Sequence, residues 1–358
     1  MEKKKKFIII DANSLIHRAF HALPPLTARD GEVVNAVYGF ATIFLKALKD
    51  FKPDYIACCF DVDKNTFRKQ EYTEYKAHRK EQPSELYHQF PLIKQLLKAF
   101  NVPIYEKKGF EADDVIGTIS EIINKKYKNN NVKNIIVSGD LDVLQLINDR
   151  TEVYTLKRGI SDTVIYDAKA VKERFGFGPY QVVDYKALRG DPSDNIPGVT
   201  GIGEKTATEL IKEFGSLDEI YKNLDNNKIK ESVLNKLKKY KKQAYLSQRL
   251  ATIVRDVKIN FDLEDAKVEP FDTEQVIELF QTWKFNSLIS KIPQAEKIMF
   301  ERQGGLFEID NKKENFKIKD GYCLIDNEDE FKNFLNKLEK QEEFVFDTET
   351  DGLDPFNS

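Results

Sequence analysis

Three short apolar runs, each closing on an aspartate, constrain this chain more than any other feature. They are KFIIID, ending at Asp11, YIACCFD, ending at Asp61, and VKNIIVSGD, ending at Asp140. Bounded runs of this length and β-branched content read as buried strands. TEVYTL and TVIYD are weaker strand candidates, and the intervening stretches NAVYGFATIFLKALKDF and LYHQFPLIKQLLKAF carry helical periodicity. Strands alternating with helices predict an α/β fold, a mostly parallel central sheet flanked by helices. All carboxyl ends of parallel strands share one edge, where open α/β folds place their sites. The three aspartates should therefore converge.

More acids follow the same logic. Asp142 lies two residues past Asp140, so an extended chain points both side chains one way. In GFEADDVIGTISEII the apolar positions mark one helix face and leave Glu111, Asp113 and Asp114 around the first turn. Asp191 and Asp194 precede a glycine-punctuated turn in GDPSDNIPGVTGIGEKTA. Turn and helix-capping chemistry accounts for any one of these residues. Nine together in one crevice, Asp11, Asp61, Glu111, Asp113, Asp114, Asp140, Asp142, Asp191 and Asp194, would repel one another unless cations sit among them. Oxygen donors without histidine or cysteine select hard cations, Mg²⁺ or Mn²⁺. Two such ions about 3.5–4 Å apart form a clamp suited to phosphodiester hydrolysis.

Net charge bears on the partner. With 56 Lys and Arg against 59 Asp and Glu, the formal charge is −3, which suits a nucleic-acid binder only if acids and bases are segregated. Such bases exist. Gly198, Gly201, Ile202, Gly203, Lys205 and Thr206 lie in GVTGIGEKTA, which is similar to a helix-hairpin-helix turn whose backbone amides face phosphates. Lys236, Lys238, Lys239, Lys241 and Lys242 add charge further on, where a solvated helix face is the plainer reading. In TFRKQEYTEYKAHRK, helical spacing puts Arg68, Tyr72, Lys76 and Arg79 on one face with Tyr75 adjacent, a mixture suited to phosphates and unpaired bases. Arg18, one turn past Asp11, is within reach of a scissile phosphate.

The 358 residues allow about two domains. The expected divisions are an α/β core over 1–177, a helical helix-hairpin-helix subdomain over 178–292, a linker over 293–315 and an incomplete second α/β unit over 316–358. No run is long and apolar enough to span a membrane, and the apolar start is too short for a secretory signal. A cytoplasmic monomer is expected. Cys58 and Cys59 sit in an apolar run, Cys323 has no nearby partner, and no third ligand joins His17 and His21 in a zinc site.

Laid out in order, IIIDANSLIHRAFHALPPLT, FDVDKNTFR, YKAHR, GFEADDVIGT, SGDLD and GDPSDNIPGVTGIGEKTA resemble the 5′ nuclease domains that open bacterial DNA polymerase I, a branch of the flap endonuclease family with a PIN-like core. The likeness runs from Phe7 to about Pro293. It implies a metal-dependent 5′–3′ exonuclease and flap endonuclease acting on 5′ flaps, nicks and RNA primer–DNA hybrids during replication and repair at the bacterial nucleoid. It implies one ion held by Asp11, Asp61, Glu111 and Asp113 with Asp114 adjoining, and a second by Asp140, Asp142, Asp191 and Asp194. Arg18, Tyr75, Lys76 and Arg79 would engage the reacting strand beneath a helical arch. Leu141 stands where the family often has lysine, which removes a phosphate contact at most. FVFDTETDGLDP resembles the first motif of a 3′–5′ proofreading exonuclease, with Asp347 and Glu349 as ligands; the partner ligands are absent, so proofreading is not expected and a polymerase portion is expected in a longer chain. A PIN-like ribonuclease and a DNA-binding platform without catalysis are the alternatives.

Overall fold

β1 (Lys5–Asp11) is the central strand of a six-stranded sheet ordered β3-β2-β1-β4-β5-β6. β2 (Tyr55–Phe60) and β3 (Ile104–Glu106) extend it one way, and β4 (Val132–Ser138), β5 (Thr151–Arg158) and β6 (Asp162–Tyr166) the other. The chain order thus reverses at β1, the topological switch point where open α/β sheets open a crevice. The structure, a computed structural model, describes residues 4–79, 81–225, 227–295, 325 and 328–340. Its strands pair in parallel except at β5–β6. Only residues 159–161 separate those two strands, too few for the crossover a parallel pair needs.

Alternation along β1 feeds two cores. Phe7 and Ile9 point to one face, and Ile8 and Ile10 to the other. On the first face lies α5 (Ala112–Lys126), burying Val115, Ile116, Ile119 and Ile123. The second is covered by α1 (Ala12–Ala22), α2 (Asn35–Phe51) and α4 (Ser84–Ala99). Between β2 and α4, α3 (Phe67–Glu71) spans only five residues.

After β6 the chain becomes helical: α6 (Ala168–Phe175), α7 (Val182–Arg189), α8 (Glu204–Phe214), α9 (Leu217–Lys222), α10 (Glu231–Lys239), α11 (Lys241–Ala251), α12 (Thr273–Thr282) and α13 (Asn286–Ile289). Helices α7 to α11 bury Leu188, Ile211, Leu237 and Ala244 in the core that holds α5. Helix α12 contributes Val276, Ile277 and Phe280 to the opposite core, with α2 and α4. Residues 178–292 therefore share both cores of the sheet.

Two compact units divide the chain at Gln303 and Gly304. In the second, the helix Glu328–Leu338 is described. Most of the expected linker, and Cys323, Asp347 and Glu349, lie outside the described residues. No described helix is long and apolar enough to cross a membrane.

Candidate metal centre and DNA interface

The strand ends deliver the acids as their sequence positions predict, and local hydrogen bonds fix them. Asp11 caps α1, accepting from the Ser14 amide at 3.2 Å and from Ser138 Oγ at 2.6 Å. Burial raises its pKa to about 6 against those two donors, with Asp61 adding repulsion. Asp61 accepts from the Ala112 amide at 2.6 Å, joining the end of β2 to the start of α5, while its own amide donates to Asn13 Oδ1. Burial raises its pKa, and Glu111 adds to the rise. Past β4, the Asp142 amide donates to Asp140 Oδ1 at 3.0 Å, a turn that packs the two carboxylates together. Burial and Asp140 push Asp142 up to about 7 despite the neighbouring Lys186.

Asp113 differs from the other eight. Each of those has a protein hydrogen-bond donor, whereas the Asp113 carboxylate has neither a hydrogen bond nor an ion pair among the described residues. Burial raises its pKa well above the usual carboxylate range, and Asp11, Asp140, Asp142 and Glu111 all push the same way. These four carboxylates therefore lie near enough to Asp113 to disfavour its charge.

Asp114 does not join them. It is fully buried and held by Arg68, whose two terminal nitrogens reach its two oxygens at 2.7 Å each. Arg68 also donates to the Leu250 and Thr252 carbonyls at 2.8 Å and to Glu111 at 3.3 Å. With every direction taken and 2% exposure, Arg68 is a structural ion-pair partner, which corrects both its expected place on a DNA-facing helix and the expectation of Asp114 as a ligand.

That helix does not form. Tyr72 is extended and Lys76 adopts a left-handed backbone (φ +54°), because residues 72–79 turn to dock on the loop holding Asp191 and Asp194. The Lys76 amide donates to the Asp194 carbonyl and Asn195 Nδ2 to the Glu74 carbonyl. The docking gathers the expected bases around the acids. Lys76 Nζ lies 2.8 Å from Glu111, Arg79 lies 2.5 Å from Asp194, and the buried Tyr75 hydroxyl, with one hydrogen to donate, lies 3.1 Å from both Glu111 and Asp194. Tyr72 is half-buried nearby, and Arg18 reaches the Lys157 carbonyl.

Lys186 on α7 was not singled out by the sequence. Its ammonium bridges Asp142 and Asp191, the latter at 2.6 Å. Burial works against its charge, but the two carboxylates outweigh this and raise its pKa. In return, Lys186 and the Ser193 donors bring Asp191 down to about 2 although burial opposes them. The sequence offers only a weak signal for it, a lysine five residues before an acid. With Lys76 and Lys186 cross-linking the acids, no three His, Cys, Asp or Glu side chains among the described residues stand close enough to hold an ion in this arrangement. The set still fits divalent cations in its chemistry, since every donor is an oxygen and Asp113 has no protein donor among the described residues.

The glycine turn links α7 to α8. Gly190 and Gly198 have positive φ, and a Cβ on Gly198 would lie 2.2 Å from the Gly190 nitrogen. Gly198→Ala is expected to lower stability by about 1–3 kcal/mol, read as thermal melting; an unchanged midpoint would contradict the close approach. The Gly198 amide donates to Ser247 Oγ and the Ile202 amide to the Val199 carbonyl. These two expected phosphate donors are therefore already used in building the turn. Gly201 (φ +85°) is exposed with Gly203 and Lys205, while Thr206 is half-buried. The first helical bond runs from Ala207 to the Gly203 carbonyl, so the amides of Glu204, Lys205 and Thr206 at the positive helix end have no intrahelical acceptor.

Acids at the carboxyl edge of the sheet's switch point, followed in the chain by a glycine turn that leaves three amides without an intrahelical acceptor at a helix start, define an α/β protein with the elements of a phosphate-backbone site. Residues 6–176 match the family described as 5′–3′ exonuclease, N-terminal resolvase-like domain, and residues 177–274 match 5′–3′ exonuclease, C-terminal SAM fold. The chain belongs to the 5′–3′ exonuclease family and carries its nuclease domains. It is 46% identical over 298 residues to DNA polymerase I of Caldicellulosiruptor bescii, covering 83% of this chain and 34% of that one. With DNA polymerase I of Bacillus subtilis it shares 42% identity over 295 residues, 82% of this chain and 33% of the relative. The chain thus spans about a third of the length of these curated relatives. The fold is similar to T5 5′-exonuclease with zinc bound (TM-score 0.55, 24% identity, 69% of this chain and 89% of that chain). It is also similar to the T5 D15 flap endonuclease with DNA and metal ions (TM-score 0.54, 20% identity, 83% and 97%).

Proposed function

We propose that this chain binds duplex DNA beside a single-stranded 5′ flap and hydrolyses a phosphodiester near the junction, using two Mg²⁺ ions that Mn²⁺ can replace. The observation that carries this reading is Asp113, a buried carboxylate with no donor among the described residues and four other carboxylates near it. Asp11, Asp61, Glu111 and Asp113 would hold one ion, and Asp140, Asp142, Asp191 and Asp194 the second. Such ions supply an activated water and offset the charge that builds on the phosphate and leaving oxygen.

The chain's own groups do the rest. Ser138 and Ser14 hold Asp11 in place, and the Ala112 amide holds Asp61. Lys76 and Arg79, now paired with Glu111 and Asp194, bring cations to where the reacting phosphate would lie, and Tyr75 orients the same two acids. The exposed start of α8 offers amides to a phosphate away from the reaction. Relatives named DNA polymerase I, and fold relatives solved with DNA and with metal ions, support this assignment. In the cell the activity would remove RNA primers and displaced strands, in the cytoplasm, next to the polymerase portion of a longer chain.

The test is incubation of a 5′-labelled flap with Mg²⁺, then with chelator. Short labelled products that vanish with chelator are expected. A flap that is bound yet left intact with both Mg²⁺ and Mn²⁺ would replace this reading with that of a binding platform.

A further inference from the structure

The elbow between α10 and α11 carries Lys238, Lys239, Lys241 and Lys242, all exposed, around a shallow pocket of about 650 Å³ that Tyr245 completes. Six surface lysines elsewhere, Lys46, Lys94, Lys125, Lys133, Lys169 and Lys222, each pair with a carboxylate. The four elbow lysines pair with none among the described residues, and two of them lie over tyrosine rings instead, Lys239 over Tyr240 at 5.1 Å and Lys241 over Tyr221 at 5.2 Å. Four unpaired like charges within five residues repel one another by a few tenths of a kcal/mol per neighbouring pair. A polyanion seated on them reverses that sign.

The elbow is also fixed to the hairpin. Lys236 Nζ donates to the Gly201 carbonyl at 2.9 Å. Gln243 on α11 donates to the Gly198 carbonyl and Thr200 Oγ1, and Ser247 accepts from the Gly198 amide. The amides that open α8 and the lysine elbow thus belong to one braced surface, and Lys236 to Lys239 advances about 4.5 Å along its helix. On a duplex with one phosphate per 3.4 Å of axis on each strand, the elbow would meet phosphates adjacent to the one at the hairpin.

We infer that the α10–α11 elbow is a second phosphate-binding site for duplex DNA, extending the hairpin's footprint along the backbone and reading no base. The inference rests on the proposed DNA-binding function. Its charge, exposure and rigid coupling to the hairpin favour duplex DNA over a lipid surface or an acidic protein.

The experiment compares the parent protein with Lys238→Gln/Lys239→Gln/Lys241→Gln/Lys242→Gln and with a control, Lys125→Gln/Lys126→Gln/Lys128→Gln/Lys133→Gln, which removes four charges near the opposite ends of β4 and α5. Binding of a fluorescent flap duplex is measured across salt concentrations in Ca²⁺, and melting checks that all three fold. Each lost phosphate contact lowers the salt slope by about 0.9. The elbow variant is expected to lose about 2 from the slope and about tenfold or more in affinity, and the control to lose little. Equal slopes for elbow variant and parent would overturn the inference, as would equal losses in elbow and control. An elbow variant that keeps its DNA affinity but no longer binds phosphatidylserine vesicles would also overturn it and assign the elbow to lipid. If the parent itself binds no duplex at low salt, the proposed function falls as well, which separates the two failures.

Discussion

Replacing Asp113 with asparagine is expected to abolish flap cleavage by about a thousandfold or more while raising the melting temperature of the metal-free protein. The two effects share one cause. Asp113 is buried, is pressed by Asp11, Asp140, Asp142 and Glu111, and has no hydrogen bond among the described residues to offset the repulsion. Asparagine keeps the shape and removes the charge. Relieving a functional strain of this kind is worth about 0.5–2 kcal/mol, or about 2–4 °C per kcal/mol in a domain of this size. The same change takes away a carboxylate proposed to hold a cation whose charge stabilisation is worth several kcal/mol, and each 1.36 kcal/mol is a decade of rate. Duplex binding in Ca²⁺ should change little. A variant that cleaves normally, or one that melts lower, would place Asp113 in a structural role.

Arg68→Met should be the most destabilising single substitution considered. Among the described residues it leaves the fully buried Asp114 with the Glu111 and Val254 amides alone for its charge. Breaking one side of a buried pair costs about 3–5 kcal/mol, on the order of 10 °C in melting temperature. The loss also unties α5 from the α11 end, because Arg68 holds the Leu250 and Thr252 carbonyls. Arg68→Met combined with Asp114→Leu should recover much of the stability, since an apolar pair can stand in for a buried ionic one. If the single variant melts like the parent, or the pair melts no higher than the single variant, the lock is not what joins these elements.

The sheet and its acids were legible because their signals are local. An apolar run of six or seven residues is a buried strand almost regardless of context, and an aspartate at its end marks the carboxyl edge. β3 is too short and half-buried to leave such a pattern, and the antiparallel turn of β6 depends on a three-residue connection. The helix expected through Arg68 to Arg79 failed for a tertiary reason. Its spacing is helical, but docking onto the Asp191–Asn195 loop gives residues 72–79 better partners than a helix would. Sequence alone also could not divide the nine acids by role. Asp113 and Asp114 are neighbours on one helix turn, yet one faces the crevice and the other meets an arginine 46 residues earlier. Lys186 has little sequence signal because a lysine in a helix reads as solvated, and the burial of α7 is a tertiary property.

The most direct test of the two-ion centre is titration of the metal-free protein with Mn²⁺, followed by electron paramagnetic resonance, for the parent and for Asp191→Asn. Two ions per chain with mutually broadened spectra in the parent, and a single isolated Mn²⁺ in Asp191→Asn, are the predicted results. A parent that binds no Mn²⁺, or two ions without mutual broadening, would contradict a centre in which these carboxylates clamp one phosphodiester between paired cations.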